Sequence, residues 1–453
     1  MKTMNSPRSI VFIDSGVEEM QGLVASVAPE GEVFLVNQQQ DGISQVIEIL
    51  TEYSAIANVH IISSGGPGYL HLGSSQLHVD NLHCYANDLQ HWAAVLYSAC
   101  LQGVSPVRVY FHGCNAALGE MGKAFAERLS QLMGAKVALA TTCSIPTLIL
   151  TFEASSGTVR YWIGAGEDKN WSNPLNWLGN TLPSPQDEVV FDGRCNKDVL
   201  LDICPRIKSL TVTADYTGTI SGWNKLIASK NIFIFGGTIN VDLEVGGDLK
   251  VENGTMNSYL HVKGNLTIDS GTVTWYGGKV LGDTNIKGGT VSFCSNYDSY
   301  YIFEGNFIRS GGSVEGMPIF GFYGNNCQSF SPGKDGMILR DLYNNFDLII
   351  DGEVTISGLL FNSGRLTVMS KAVLDARLTS CFSNSGTLIE KGKILRSTGA
   401  LAKISADSNS VTLNTASNSS EILQNQQDEK FDRKPKSINQ VSLKNLTVFN
   451  EVF

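Results

Sequence analysis

Two loops that each follow an apolar segment carry the residues best suited to chemistry. Cys114 comes three positions after the apolar run 107–111, and fifty positions before it Ser64 and Gly65 follow a run that ends at Ile62. A cysteine attacks a peptide carbonyl well when it is a thiolate and when fixed donors meet the developing oxyanion. The two loops therefore predict a nucleophile site with Cys114 as the nucleophile.

The residues around Cys114 supply part of what this chemistry needs. A helical pattern follows at about residues 116–132, and a helix N-terminus favours a thiolate. The backbone N–H groups of Cys114 and Gly65 are the predicted oxyanion donors, and glycine lets a substrate approach the backbone closely. Ser64 stands where the spacing of base and nucleophile places a histidine. A serine cannot act as a base near neutral pH.

Four other histidines are considered as alternative bases. His112 lies two residues before Cys114 and on the same side of its strand, roughly 6.6 Å along it, whereas His60 lies roughly 13 Å from the expected base position, which is too far. His71 and His78 fall on a predicted hairpin that could fold over the site. His112 is the alternative base that we retain.

Composition and charge limit the class of protein and the kind of partner. A chain of 453 residues with 46 glycines predicts two or three turn-rich domains. Its net charge of −10 argues against nucleic acid, since phosphate binding needs a basic surface. Residues 1–152 carry twelve Asp and Glu against six Lys and Arg, which favours a basic peptide or protein partner. Asp14, after the first predicted strand, either lines a pocket for a basic side chain or caps the following helix.

The cysteines and the apolar runs indicate neither a cofactor nor a membrane span. The nine cysteines form no CxxC pair, so we predict no disulfide framework, no metal site and no cofactor. Apart from Cys114 they are interpreted as small buried side chains. The first residues show no signal-peptide hydrophobic region, and no apolar run is long enough to cross a bilayer.

The first third of the chain, residues 1–152, alternates apolar runs with helical spacing and predicts a doubly wound α/β domain. A hairpin is expected at residues 69–79 with residues 73–75 at its tip. Buried parallel strands and the first helix are predicted at the following places: strands at 10–13, 33–36, 59–62, 107–111 and 137–139, and a helix at 17–27.

A different pattern begins after Thr151 and predicts an all-β parallel β-solenoid. Residues 153–195 form a tryptophan-rich segment, which is expected to close the end of the solenoid rather than to stack on sugars. Gly-Thr pairs start at residues 237, 254, 271 and 289, in steps of 17, 17 and 18, so residues 196–404 should form stacked turns with their threonines in one column. Less regular turns are the expected place for a lateral insertion or a binding surface, and they carry Tyr300, Tyr301, Phe320, Phe322 and Tyr323. Residues 405–453 are a polar tail or final irregular turns, and the two domains should keep separate cores.

At this point the residues resemble known families. The segments 10–15, 60–68 and 113–119 resemble the "domain of unknown function 4347", found in large bacterial cell-surface proteins and similar to clan CD cysteine peptidases. The resemblance implies a caspase-like fold, an extracellular or cell-surface location and a catalytic histidine at the position of Ser64. The later part of the chain resembles the β-helices of bacterial adhesins and autotransporter passengers.

Three functions are therefore weighed. The leading hypothesis is a surface-associated or secreted bacterial protein whose peptidase-like domain is degenerate and acts in binding, on an adhesin-like solenoid. The alternative is an active, self-processing caspase-like peptidase that uses another histidine such as His112. A carbohydrate-active β-helix enzyme is the third, and it would need a pair of carboxylates on one face, which the repeat lacks. A surface glycan remains an alternative partner of the solenoid.

Overall fold

The computed structural model describes residues 8–17, 31–53, 55–101, 106–112, 115–142, 145–152, 157–294, 299–397, 402–404 and 411–413. The chain up to Leu413 forms one compact unit. Within the described residues no helix is long and apolar enough to span a membrane.

The N-terminal domain is built on a six-stranded sheet. The order of its strands is β2 (Glu32–Val36), β1 (Arg8–Asp14), β3 (Ile56–Ile62), β7 (Val107–His112), β9 (Ile145–Phe152) and β8 (Lys136–Thr142). Strands β2, β1, β3 and β7 are parallel to one another, whereas β9 runs antiparallel to both β7 and β8. A small antiparallel sheet contains β4, β5 and β6. The elements are β1 (Arg8–Asp14), β2 (Glu32–Val36), α1 (Gly42–Thr51), β3 (Ile56–Ile62), β4 (Gly65–Gly66), β5 (Tyr69–Leu72), β6 (Ser75–His78), a 3-10 helix (Leu82–Tyr85), α2 (Ala86–Leu101), β7 (Val107–His112), α3 (Gly119–Met133), β8 (Lys136–Thr142) and β9 (Ile145–Phe152).

The sheet confirms an α/β domain but differs from the sequence prediction at its edges. Val33 and Leu35 are 46% and 65% exposed, so the strand at 33–36 is an edge strand and not a buried one. The strand at 137–139 is also at an edge, because the unpredicted strand β9 inserts between it and β7. Sequence periodicity cannot show this, since it reports which residues are apolar and not which strand pairs with which. The predicted helix at 17–27 lies almost wholly outside the described residues.

The hairpin expected at residues 69–79 is confirmed. Strands β5 and β6 pair from Tyr69 with His78 to Leu72 with Ser75, and Gly73 turns the chain with a φ of +61°. Glycine adopts this left-handed conformation at no steric cost.

The rest of the described chain is a stack of parallel turns, here called rungs, with strands on up to three faces. The strands of the twelve-stranded sheet are Val159–Tyr161, Glu188–Phe191, Ser209–Val212, Ile232–Ile234, Leu249–Val251, Leu266–Ile268, Thr284–Ile286, Phe307–Arg309, Gln328–Ser331, Asp347–Ile350, Arg365–Val368 and Thr387–Glu390. The strands of the fifteen-stranded sheet are Val199–Leu201, Arg206–Ile207, Thr219–Gly222, Leu226–Ala228, Thr238–Asn240, Leu243–Val245, Thr255–Val262, Thr272–Val280, Thr290–Phe293, Tyr300–Phe303, Ser313–Glu315, Ile319–Phe322, Asp341–Asn344, Leu359–Asn362 and Cys381–Asn384. A third face holds Met337–Leu339, Glu353–Ile356, Val373–Ala376 and Lys393–Arg396.

The threonine column is confirmed. Thr238 pairs with Thr255, Thr255 with Thr272, and Thr272 with Thr290, each in a parallel register. The last step is 18 residues because the register shifts after Ser258 and leaves Tyr276 as an extra residue. The steps of 17 residues in the sequence reflect the repeat, and the step of 18 reflects the β-bulge.

The bulge depends on Gly278, which gives a first testable prediction. Its φ is +124°, and a Cβ there would lie 1.8 Å from the Leu260 carbonyl oxygen. Gly278→Ala should therefore lower the free energy of unfolding by about 3 kcal/mol, from backbone strain and overpacking together. Gly179→Ala is the control, because Gly179 has a φ of +81° and nothing within 4 Å of its Cβ position. This change should lower the free energy of unfolding by about 1 kcal/mol. Urea denaturation followed by circular dichroism measures both, and equal losses would contradict the role of the close contact.

The tryptophans of the segment 153–195 are buried at the start of the solenoid, and the closing role of this segment stays a prediction. Trp162, Trp171 and Trp177 are fully buried, and the rings of Trp171 and Trp177 lie 4.6 Å apart against Phe191. Rings without exposure cannot stack on a sugar in solvent. Parallel pairing already begins at Val159–Tyr161, within the segment 153–195, and the boundaries of the domains otherwise stay predictions.

The expectation of separate cores is wrong, because the buried apolar residues of both parts form one connected cluster. Helix α2 contacts the solenoid directly: the side chains of Asn87 and Gln90 accept hydrogen bonds from the backbone N–H groups of Cys204 and Arg206, the latter at 3.0 Å. From α3, Arg128 donates to the carbonyl of Ser172 at 3.3 Å. These contacts join residues that are far apart in sequence, so no local sequence pattern predicts them.

Two smaller expectations concern cysteines and the tail. Cys84 and Cys327 are exposed rather than buried, whereas Cys100 is buried. At the predicted boundary between the solenoid and the tail, Ala402–Ile404 pairs with Val411–Leu413 in an antiparallel ladder, so the last residues of the predicted solenoid are not part of its parallel sheets. Cys143 and the remaining residues from 405 onward lie outside the described part of the chain.

Candidate functional site

The predicted site lies where β3 and β7 end side by side. Ile62 is the register partner of His112, and the Ser63 N–H donates to the His112 carbonyl at 3.3 Å. Ser64, the next residue, is exposed. The serine at the expected base position therefore lies at the carboxyl edge of the sheet, where α/β proteins carry their sites.

The two loops are held to each other on both sides of the predicted nucleophile. Gly113 and Cys114 themselves lie outside the described residues. The Gly68 N–H donates to the Ala116 carbonyl at 2.8 Å, and this contact complements the one to His112. The described residues on either side of the predicted nucleophile, His112 and Ala116, are thus both hydrogen-bonded to the segment 63–68 that contains Ser64.

Gly65 begins the small sheet and brings a histidine to the site. Strand β4 pairs with β5 so that Gly65 lies opposite Leu70, and the next residues along, Ser64 and His71, are joined by a hydrogen bond of 2.9 Å from the His71 N–H to the Ser64 carbonyl. Directly opposed residues of an antiparallel pair project to the same face. His71 is half-buried, and its ring packs edge-on against Tyr69 at 5.7 Å. The oxyanion role of Gly65 stays a prediction.

Asp14 connects the end of β1 to the hairpin. Its side chain is 2% exposed, one carboxylate oxygen accepts from the Gly73 N–H at 2.7 Å, and the other accepts from the Gly16 N–H at 2.9 Å. The carboxylate thus anchors the hairpin tip across the edge of the sheet. Its predicted roles, in a pocket or as a helix cap, stay predictions, but both oxygens are already engaged.

Further carboxylates surround the hairpin. Asp41 caps α1 by accepting from the Ser44 N–H at 2.7 Å and also accepts from the Ser75 hydroxyl. Burial, with a contribution from Asp41, raises the pKa of Asp88. Asp80 is strongly exposed, with His78 3.9 Å away. This side of the domain offers negative charge.

His60 and His112 form a buried pair that the sequence analysis did not foresee. His60 Nδ1 lies 3.0 Å from His112 Nε2, the two side chains are 7% and 1% exposed, and the Tyr110 ring stacks on His60 at 4.7 Å. Burial lowers the pKa of both histidines to about 4, so both are neutral at pH 7. The register of β3 and β7 places them on one face of adjacent strands, which is the signal that could have revealed the pair.

The pair argues against His112 as a replacement base. Its Nε2 contacts His60, and its Nδ1 lies 3.4 Å from the Thr147 hydroxyl. Both ring nitrogens are therefore engaged within the sheet, and a proton acceptor directed at Cys114 would have to leave these contacts.

No group of three or more His, Cys, Asp or Glu side chains in the described part of the chain is arranged to hold a metal ion. The described groups at this edge include the Ser64 hydroxyl, the His71 imidazole and backbone N–H groups.

The comparisons with known proteins bear on the N-terminal domain. No curated protein and no solved structure matches the chain. Residues 10–144, which include Ser64, Gly65 and Cys114, match the family model described as "Domain of unknown function (DUF4347)". The N-terminal domain thus carries the family resemblance that its sequence motifs indicated.

Proposed function

We propose that the N-terminal domain is a degenerate cysteine-peptidase-like module that binds peptides without cleaving them. The observation that carries the proposal is Ser64, exposed at the carboxyl edge next to β7, where the family pattern has a histidine. His60 and His112 are buried and paired with each other. A thiol without a base loses roughly 10²- to 10⁴-fold in rate.

The proposed ligand is an extended basic peptide. Asp41, Asp80 and Asp88 place carboxylates around the hairpin, and complementary charge favours the encounter with a basic partner. Strand β4, formed by Gly65 and Gly66, pairs with β5 on one side. Its glycines permit close approach of a second main chain, as in recognition by strand addition.

The proposal extends to the whole chain. A rigid stack of parallel rungs displays the N-terminal domain at one end, which suits an adhesin-like surface or secreted protein of a bacterium. The caspase-like classification and this location rest on the family resemblance, and the sheet order β2-β1-β3-β7 with parallel strands is compatible with it.

Peptide binding by the full chain tests the proposal. Fluorescein-labelled hexapeptides with a central Arg, Lys, Asp or Leu serve as probes in fluorescence anisotropy, and the products are analysed by mass spectrometry. We expect the Arg and Lys peptides to bind in preference and to remain intact. Asp80→Asn should weaken binding of the basic peptides about twofold to fivefold, as loss of one exposed charge does, and Glu167→Gln on the solenoid entry segment is the matched control. Equal binding of the Asp and Arg peptides, or no binding at all, would reject the proposal.

A second candidate function is an active peptidase in which His71 is the base. The supporting observation is the position of His71 directly opposite Ser64 in the hydrogen-bonded pair. Cleavage by the unaltered chain that disappears in both His71→Ala and Cys114→Ala would establish this alternative, and His83→Ala, which changes an exposed histidine outside the pair, is its control.

A further inference from the structure

The solenoid carries a line of aromatic side chains on the outside of its fifteen-stranded sheet. We call Tyr259, Tyr276, Tyr300, Tyr323, Tyr343 and Phe361 the aromatic strip; Tyr276 is 43% exposed and the other five are half-buried. Of the residues expected at the binding surface, Tyr301, Phe320 and Phe322 are instead fully buried. Sequence alone could not separate the two sets, because they alternate along the same strands.

The register of the strands places the strip in neighbouring outward columns that run along the solenoid axis. Lys279 pairs with Ile302, Ile302 with Gly321, Gly321 with Tyr343 and Tyr343 with Phe361, so Tyr343 and Phe361 share one column. Tyr259 and Tyr300 lie in the neighbouring column, where they pair with Gly277 and Ile319. Successive rungs are about 4.8 Å apart, and the strip therefore presents an aromatic ring on each of several successive rungs.

Glycines in the strip make room for rings. A Cβ on Gly321 would lie 2.3 Å from the Tyr323 ring, and a Cβ on Gly277 would lie 3.1 Å from the Tyr259 ring. Each ring therefore covers the backbone of a glycine. At Tyr276 the β-bulge turns an additional ring outward, as bulges do where they redirect a side chain.

Two stacked rings and one hydroxyl group add to the surface of the strip. Tyr343 and Phe361 stack on each other at 5.2 Å with planes 10° apart, so their edges border the strip. Burial raises the pKa of Tyr323 to about 12, and the neighbouring Tyr300 acts in the same direction. The Tyr323 hydroxyl thus stays protonated and able to donate a hydrogen bond at neutral pH.

The charges in the strip are neutralised within the protein. Among the residues that the structure describes, Lys279 and Asp341 are the charged side chains in the outward columns between Tyr259 and Phe361, and they pair with Glu304 at 2.6 Å and with Arg340 at 3.4 Å. These two described charges are therefore compensated within the protein and do not favour a charged polymer. Uncharged ligands are the class that fits this surface.

We propose that the aromatic strip binds a neutral polysaccharide whose chain runs along the solenoid axis. The C–H groups on the face of a sugar ring are attracted to the negative face of an aromatic ring, and tyrosine adds a hydrogen-bonding group beside it. The rung spacing is close to the length of one pyranose residue in an extended chain. An extended peptide advances about 3.3 Å per residue, so the spacing of its residues does not match the spacing of about 4.8 Å between rungs. This site is separate from the peptide site of the N-terminal domain.

Affinity electrophoresis of the full chain tests the proposal. Hydroxyethylcellulose, laminarin and soluble starch are the neutral probes, and alginate is the anionic probe. At least one neutral probe should retard the protein, and retardation should persist in 0.5 M salt. Tyr323→Ala should weaken it about tenfold, the range that stacking on one aromatic side chain supplies.

Two further variants keep the test decisive. Trp223→Ala removes a fully exposed aromatic residue outside the strip and should leave retardation unchanged. Tyr323→Phe removes only the hydroxyl and should have a smaller effect than Tyr323→Ala. Circular dichroism confirms that each variant is folded. The proposal is overturned if no neutral probe retards the protein, if alginate alone does so, or if Trp223→Ala is as damaging as Tyr323→Ala.

Discussion

Replacing Ser64 with histidine should give the protein Cys114-dependent peptide cleavage, with a rate roughly 10²- to 10⁴-fold above that of the unaltered chain. Ser64 is exposed at the end of β3, beside the end of β7, and the hydrogen bonds of Ser63 and Gly68 hold the two loops together. In the proposed site, a histidine at this position supplies the base that the family resemblance leads us to expect there.

The chemistry of the restored site is that of a thiol peptidase. The introduced imidazole accepts the thiol proton of Cys114, the thiolate attacks the peptide carbonyl, and the amine leaves with that proton as the C–N bond breaks. Water then hydrolyses the thioester, which releases the carboxylic acid product and regenerates the free thiol. The N–H of Gly65 is the predicted oxyanion donor.

Fluorogenic peptides with Arg, Lys, Asp or Leu at the cleavage position measure the gain. Ser64→His combined with Cys114→Ala should remove it, and Ser64→Gln controls for the change of size. Adding His71→Ala to Ser64→His shows whether the hairpin histidine contributes. If Ser64→His gains nothing while basic peptides still bind, the domain has lost more than its base and is a binding module only.

Acid should destabilise the protein between pH 6.5 and pH 4 through the buried histidine pair. The pKa of His60 and of His112 is about 4 in the folded chain, against an ordinary value of 6.5. Between these values the unfolded chain binds more protons, so stability is fully present above pH 6.5 and is lost as the pH falls through 4. A difference of one in the pKa corresponds to about 1.4 kcal/mol of unfolding free energy per histidine. The loss from the two histidines together therefore approaches several kcal/mol, which is a large share of the stability of a typical domain.

A double variant separates this effect from general acid sensitivity. His60→Asn with His112→Gln keeps a polar atom near each nitrogen of the 3.0 Å contact and removes both titrating groups. The slope of the unfolding free energy between pH 6.5 and 4, measured by urea denaturation, should become much shallower. His83→Gln, at an exposed histidine, should leave the slope unchanged. An unchanged slope in the double variant would show that other groups dominate acid unfolding.

The repeat of the solenoid could be predicted from the sequence, because each rung obeys the same local rule. Glycine turns and alternating apolar residues recur at 17 residues, and neighbouring rungs are also neighbours in sequence, so Thr238, Thr255 and Thr272 necessarily stack. The hairpin at Gly73 was equally local.

The candidate site could be located only in part. The sequence placed Ser64 and Cys114 at the ends of neighbouring strands, since the order of strands and helices fixes which ends share an edge. It could not show that His112 pairs with His60 or that His71 lies opposite Ser64. These contacts depend on strand register, and a shift of one residue would turn each side chain to the other face.

Periodicity and residue identity are local properties of the chain, so the α/β pattern of the first third and the repeat of the solenoid could be predicted from them, whereas the loss of a base at Ser64 stays a prediction from the family resemblance. The strand inserted beside β7, the contacts of Asn87 and Gln90 between the α/β domain and the solenoid, and the outward orientation of particular tyrosines are visible only in the folded chain. Each of these depends on contacts between distant residues, whose geometry is set by packing and register together rather than by any single segment.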